Sequence, residues 1–273
     1  MKKNRVFITG GASGLGFALA KCYAKNGWKV CIGDINDERG ASAVNELKSV
    51  SSEIVYIHCD VTQEISLINI ANSLQERWGG VDVVINNAGV AQAGPIEEVS
   101  LEDWQWIVNI NLLGVVRGCK VFTPIFKRQG GGQFINIASM AGLIHAPMMS
   151  SYNATKAAVV ALSETLKVEL EPSNINVSVV CPAFFKTNLT ETMRASNQDI
   201  DGMARKLVDK SKVSADTVAE MVFAGAQRGD FHIITHQREK AAWLLKRAVP
   251  FGVYSKLIGM EARRLFGSAH KNK

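Results

Sequence analysis

Tyr152 and Lys156 stand four residues apart in Ser151-Tyr152-Asn153-Ala154-Thr155-Lys156, and on a helix that spacing stacks them on one face, one turn apart. Such a pair suits proton transfer. A free phenol has a pKa near about 10, so a tyrosine serving as a base near neutrality must be lowered by roughly 3 units, or about 4 kcal/mol. One cation about 4 Å away, at an effective dielectric of about 20, supplies on the order of 4 kcal/mol. Lys156 is therefore expected to lower the Tyr152 phenol. The same spacing also describes a solvated helix face with one packed ring, so the pair must be weighed with its neighbours.

Three further places carry polar groups in positions that ask for a reason. Ser139 follows the apolar run Gln133 to Ala138 and precedes Met140-Ala141-Gly142. Asn86-Asn87-Ala88-Gly89 closes the run Val81 to Ile85. Asn111 lies in a largely apolar helical stretch, Trp104 to Gly114, where a buried amide needs hydrogen-bond partners. A fourth feature is the turn Thr9-Gly10-Gly11-Ala12-Ser13-Gly14-Leu15-Gly16, directly after the run Arg5 to Thr9 and opening a helix. Glycines permit a tight turn and close backbone approach, and the free N–H groups of the helix start attract phosphate, which suits a dinucleotide pyrophosphate. The spacing is G-x-x-x-G-x-G, a partial match to the commoner fingerprint, and a purely structural turn is the other reading. Asp34, 18 residues after Gly16, ends the next apolar run, where a carboxylate can accept from ribose hydroxyls or cap a turn. It would repel a 2′-phosphate, and Ile35 and Asn36 beside it bring no counter-charge, so NAD is expected over NADP. Arg39 nearby keeps NADP open.

The elements that must hold these groups are legible as an alternation. Short β-branched runs recur at Arg5 to Thr9, Lys29 to Gly33, Ile54 to His58, Val81 to Ile85, Gln133 to Ala138, Asn176 to Cys181 and Phe231 to Thr235. Helical spacing fills Gly14 to Asn26, Asp37 to Ser49, Gln63 to Trp78, Leu101 to Arg128, Ser150 to Glu171 and Ala215 to Arg228. The alternation predicts an α/β fold, a doubly wound parallel sheet of Rossmann-like type forming a single domain over residues 1–236. Ser139, Asn86 to Gly89, the glycine turn and Asp34 then follow strand ends at the carboxyl edge of the sheet, where ligands of such folds bind.

Together the residues resemble the short-chain dehydrogenase/reductase (SDR) family, in its motif order over roughly residues 4 to 235. The resemblance implies an oxidoreductase moving a hydride between a nicotinamide cofactor and a carbinol or carbonyl carbon. In it Gly10, Ser13, Gly14, Leu15 and Gly16 form the cofactor loop, Asp34 holds the ribose, and Asp60 with Val61 borders the adenine. Asn87, Ala88 and Gly89 support the central strand and the cofactor. Tyr152 is the general acid/base, with an oxidised nicotinamide adding to the pull of Lys156. Ser139 binds the substrate oxygen, Lys156 holds the nicotinamide ribose, and Asn111 positions a relay water. Pro182 and Thr187 meet the nicotinamide end, although Ala183 stands where the family usually has glycine. A homodimer or homotetramer is implied as well.

On the substrate side, residues 183–213 form a longer segment with Phe184, Phe185, Leu189, Met193, Met203 and Leu207, read as a mobile lid. Leu143, Ile144, Met148 and Met149 form the expected opposite wall. With Ser139 and Tyr152 they suit an apolar secondary alcohol, ketone or aldehyde, unless these side chains merely complete the core.

Composition narrows the field. With 273 residues, 47% hydrophobic, one large core is affordable. Cys22, Cys31, Cys59, Cys119 and Cys181 are odd in number and scattered, so buried thiols in a reducing compartment, the cytoplasm, are expected, with no metal site. The net charge of +6 is concentrated in residues 237–273, where nine Lys or Arg meet two acids; the other 236 residues hold 22 bases and 23 acids. A nearly neutral body excludes a nucleic-acid face. The basic amphipathic extension, two helices divided by Pro250 and Gly252, is expected to pack on the body or a sister subunit, with peripheral contact to an anionic membrane as the other reading. Three rival functions stay open: an NADP-dependent carbonyl reductase, a non-catalytic dinucleotide-binding sensor, and a membrane-docked protein.

Overall fold

The structure, a computed structural model, describes residues 4–51, 53–198, 200–202, 211 and 213–266. Seven strands form one parallel sheet: β1 (Arg5–Thr9), β2 (Lys29–Asp34), β3 (Ile54–His58), β4 (Val83–Asn86), β6 (Gly132–Ile137), β7 (Ile175–Val180) and β9 (His232–Ile233). A two-residue strand β5 (Gln92–Ala93) pairs with β8 (Arg194–Ala195) outside that sheet. Among the described residues the α-helices are α1 (Gly14–Lys25), α2 (Asp37–Leu47), α3 (Glu64–Trp78), α4 (Leu101–Asn111), α5 (Leu113–Gln129), α6 (Ser150–Leu170), α7 (Ala215–Arg228), α8 (Gln237–Ala248) and α9 (Phe251–Phe266).

The strand order is β3-β2-β1-β4-β6-β7-β9. From β1 the chain winds outward through β2 and β3, then crosses back to β4 on the other side of β1. That reversal opens a crevice at the carboxyl ends of β1 and β4, the switch point where ligands of doubly wound sheets bind. Strand periodicity explains why the runs are apolar throughout. Val6 and Ile8 face one side with Leu19 and Tyr23 of α1 and Val222 of α7, while Phe7 faces the other with Leu74 of α3 and Phe122 of α5.

The helical stretch expected over Leu101 to Arg128 is two helices, broken at Leu112 (φ −107°, ψ −60°). The Asn111 side chain turns to the Val90 backbone at this break, and Gly114 lies where an added Cβ would come within 3.1 Å of Val61. The last strand is shorter than expected because only Val179 and Val180 pair with it. Gly252 lies inside α9, so Val249 and Pro250 alone divide the extension.

Candidate active site

A cleft of about 610 Å³ follows the carboxyl edge from the end of β2, across β1 and β4, to α6. Its floor is the glycine turn. Gly10 has φ +61°, and a Cβ there would come within 2.9 Å of Ala88. Thr9 Oγ1 accepts from the N–H groups of Asn87 (2.9 Å) and Ala88 (3.0 Å), and Asn87 Nδ2 donates to the carbonyls of Thr9 and Gly10. The turns after β1 and β4 are thereby locked together. Ser13, Gly14 and Leu15 line the cleft at the start of α1, whose first turn carries no acid, leaving its positive end open to an anion.

At one end stand Asp34, Ile35, Asn36 and Arg39. The Asp34 carboxylate accepts from Ala12 N–H and Asn36 N–H, both at 3.1 Å, so it also braces the glycine turn. Arg39 donates to Glu191 at 2.8 Å across the cleft. Asp60 and Val61 line the wall after β3, with the Asp60 carboxylate taken by its own turn through Thr62 N–H and Oγ1.

At the other end α6 presents Tyr152 and Lys156, both lining the cleft and both buried. The Lys156 ammonium lies 5.8 Å from the Tyr152 ring centroid and donates to the Ile137 carbonyl at 2.9 Å. Burial pushes Lys156 down to about 8. Burial also pushes the Tyr152 phenol up, opposed by the Ser139 hydroxyl beside it. The net shift of the Tyr152 phenol within the protein alone is thus upward, opposite to the lowering expected, because withdrawing a phenolate from water costs more than the Ser139 hydrogen bond returns. Ser139 Oγ accepts from Ala141 N–H (3.1 Å) and donates to the Pro182 carbonyl (3.4 Å), which aims it from the end of β6.

Several expected positions lie elsewhere. Gly16 is behind the loop, where a Cβ would stand 2.0 Å from the Gly10 carbonyl oxygen; its part is to let α1 approach the turn. Asn111 is fully buried behind the cleft, its Oδ1 accepting from Val90 N–H (2.8 Å) and its Nδ2 donating to Val90 O (2.9 Å). Leu143 is buried in the core and off the cleft lining, not in a substrate wall. Met149 packs beside Tyr152 in a small cluster with Ala91 and Ile107, while Met148 (φ +65°) and the exposed Phe184 stay off the cleft lining. Phe185 does line it, with Pro182 and Thr187. The apolar wall is instead Val90, Trp106, Ile110 and Leu189. Trp106 and Ile110 were legible as a helical i, i+4 pair, but nothing in the sequence turned that face toward Tyr152.

The expected lid is pinned rather than free where it is described. β8 pairs with β5, the Arg194 guanidinium lies 3.9 Å over Trp106 and 2.7 Å from Asp103, and Leu189 and Met193 pack with Tyr152. Met203 and Leu207 lie outside the described residues.

A doubly wound sheet with a glycine turn at its switch point and a Tyr–Lys–Ser group on the same edge defines a dinucleotide-fold oxidoreductase site. The short chain dehydrogenase family model matches residues 4–198, and the chain belongs to that family. A "CLA biosynthesis dehydrogenase/reductase" of Lactiplantibacillus plantarum is 33% identical over 86% of this chain and 88% of its own length. A 3-alpha-(or 20-beta)-hydroxysteroid dehydrogenase of Mycobacterium tuberculosis is 36% identical over 67% of this chain and 70% of its own. A short-chain dehydrogenase/reductase of Burkholderia phymatum in complex with NAD superposes with a TM-score of 0.86 at 31% identity, covering 91% of this chain and 95% of that one. One from Sphingobium yanoikuyae in complex with NADPH gives 0.76 at 28%, covering 92% and 95%.

Proposed function

We propose that this chain interconverts an apolar secondary alcohol and its ketone with NAD, Tyr152 serving as general acid/base. The observation that carries the reading is the meeting of Tyr152 and Lys156 at one end of a cleft whose floor is a glycine turn, with the Ser139 hydroxyl beside Tyr152 though off the cleft lining. The cleft fits a dinucleotide: its glycines admit close backbone approach, and the open start of α1 offers N–H groups to a pyrophosphate. Ser13, Gly14 and Leu15 hold that pyrophosphate, Asp34 the adenosine ribose, Asp60 and Val61 the adenine, and Pro182 with Thr187 the nicotinamide end. The bound cofactor supplies or takes the hydride.

The protein's own residues handle the oxygen. Ser139 orients it beside the Tyr152 hydroxyl, and Tyr152 gives it a proton in reduction or removes one in oxidation. Lys156 spends one N–H on Ile137 and keeps two donors for the nicotinamide ribose. Asn111 has committed its side-chain amide to Val90, so a relay water at this residue meets its backbone; the amide itself holds the chain beside Lys156. Val90, Trp106, Ile110, Phe185 and Leu189 favour an apolar substrate, in keeping with the steroid substrate in the name of the mycobacterial relative. Thr187 to Ser196 covers it. NAD is favoured because Asp34 faces the ribose end and the Arg39 beside it is paired with Glu191. The same reading includes a homodimer or homotetramer, for which exposed Leu101, Leu113 and Val168 on α4 to α6 supply apolar surface.

The test is absorbance at the reduced-nicotinamide band with NAD, and separately NADP, across a panel of secondary alcohols. NAD-dependent turnover that falls at least about a hundredfold in Tyr152→Phe is expected. Cofactor binding without turnover across the panel would replace this reading with that of a dinucleotide sensor, and turnover with NADP alone would overturn the cofactor assignment.

A further inference from the structure

Besides the residues that hold it to the body, the extension carries an exposed apolar stripe on each of its helices, and the reading of the cleft uses neither. Its inner side holds it to the body: Trp243 packs against the core and lies 5.1 Å from the His232 ring, Lys246 donates to the Leu143 carbonyl at 2.6 Å, and Tyr254 is buried with Lys246 5.5 Å from its ring. The packing expected from the sequence is therefore met by this side alone.

The outer side is a second apolar face. On α8, Ala241, Leu244, Leu245 and Ala248 recur at i, i+3, i+4 and i+7, and all are exposed, Leu244 by 51% and Leu245 by 47%. On α9, Val253, Leu257 and Met260 recur at i, i+4 and i+7 with exposures of 49%, 42% and 55%. Phe251, at the start of α9, is 76% exposed. Exposed bases flank these stripes: Arg238, Lys240 and Arg247 on α8 and Lys256 on α9.

We infer that this outer face docks on an anionic lipid bilayer, the apolar stripes entering the headgroup boundary and the bases meeting lipid phosphates and carboxylates. Charge decides between this occupant and a second copy of the chain. Residues 237–273 hold nine bases against two acids, so pairing two extensions face to face would bring like charge onto like. The remaining 236 residues, 22 bases against 23 acids, provide no compensating acidic excess. A bilayer rich in phosphatidylserine supplies apolar depth and negative charge together, and each base near its surface adds to binding.

The experiment is co-sedimentation of the full chain with phosphatidylcholine vesicles, with and without phosphatidylserine, at low and high salt. Binding at least about tenfold stronger to the anionic vesicles, and weakened by salt, is expected. The variant Leu244→Glu/Leu245→Glu/Leu257→Glu alters exposed positions away from the cleft; it is expected to lose vesicle binding while keeping its thermal transition and cofactor affinity. Equal binding to neutral and anionic vesicles, no binding, or unchanged binding by this variant each overturns the inference. So does a smaller assembly of the variant in light scattering with no vesicle binding by the parent, which would assign the face to contact between copies. Because the readout is lipid binding, the inference stands or falls separately from the chemistry of the cleft.

Discussion

Lys156 sits 4% exposed on the wall of the cleft, and burial brings its ammonium from the ordinary 10.5 to about 8. The sign of the consequence follows. Between about pH 8 and 10.5 the unfolded chain holds a proton there that the folded chain has released, so folding gains stability as pH rises through that window. Below it, charged Lys156 costs the fold up to about 3 kcal/mol. Urea unfolding of the parent and of Lys156→Met is therefore expected to diverge with pH, the parent gaining on the variant by up to that amount between pH 7 and 10. A constant difference across the range would remove the buried charge from the account. Below about pH 8 the fold bears this cost and Lys156 stays a cation next to Tyr152, whose own burial works against the phenolate.

At the scale of elements, close approach governs the cofactor loop. Gly16→Ala puts a Cβ 2.0 Å from the Gly10 carbonyl and 2.6 Å from Asn87 Nδ2, so α1 must move away from the turn. It is expected to cost about 1–3 kcal/mol in thermal unfolding and to weaken dinucleotide binding by more than about tenfold. Gly27→Ala has nothing within 4 Å and only its φ of +76° to pay in strain; it should cost about 1 kcal/mol and leave binding alone. Equal cofactor affinity in both variants would show that the turn tolerates displacement. The alternation of strands and helices, the two-faced apolar runs and the glycine turn were readable because each follows a local period. The same local rules put Ser139 at the carboxyl edge and Tyr152 and Lys156 on one helix face, while their joint site was what the family resemblance implied. They could not show that Asn111 turns to Val90 and breaks the helix, that Leu143 belongs to the core, or that Arg194 stacks on Trp106. Those depend on contacts between segments distant in sequence, which periodicity does not encode.

For the whole molecule, the two edges of the sheet divide the labour. Arg5 is 3% exposed at the amino edge, with its backbone N–H, Nε and Nη2 on Asp82 and Nη1 on the Trp78 carbonyl. Asp82→Ala leaves that guanidinium buried without its counter-charge, and a loss of roughly 3–5 kcal/mol in urea unfolding is expected. Because the cleft is on the opposite edge, KM for substrate and cofactor should not move; a shifted KM would mean that the edges are coupled.

The five cysteines are free and buried, and burial pushes Cys59, Cys119 and Cys181 up to about 12, suppressing the reactive thiolate. The folded chain is therefore expected to react slowly with thiol reagents, which a timed labelling of the native protein would check. A single cysteine introduced on the surface, on the outer side of α8 for instance, could carry a fluorophore or spin label with the native five left in place, and the onset of labelling at those five would itself time the opening of the core.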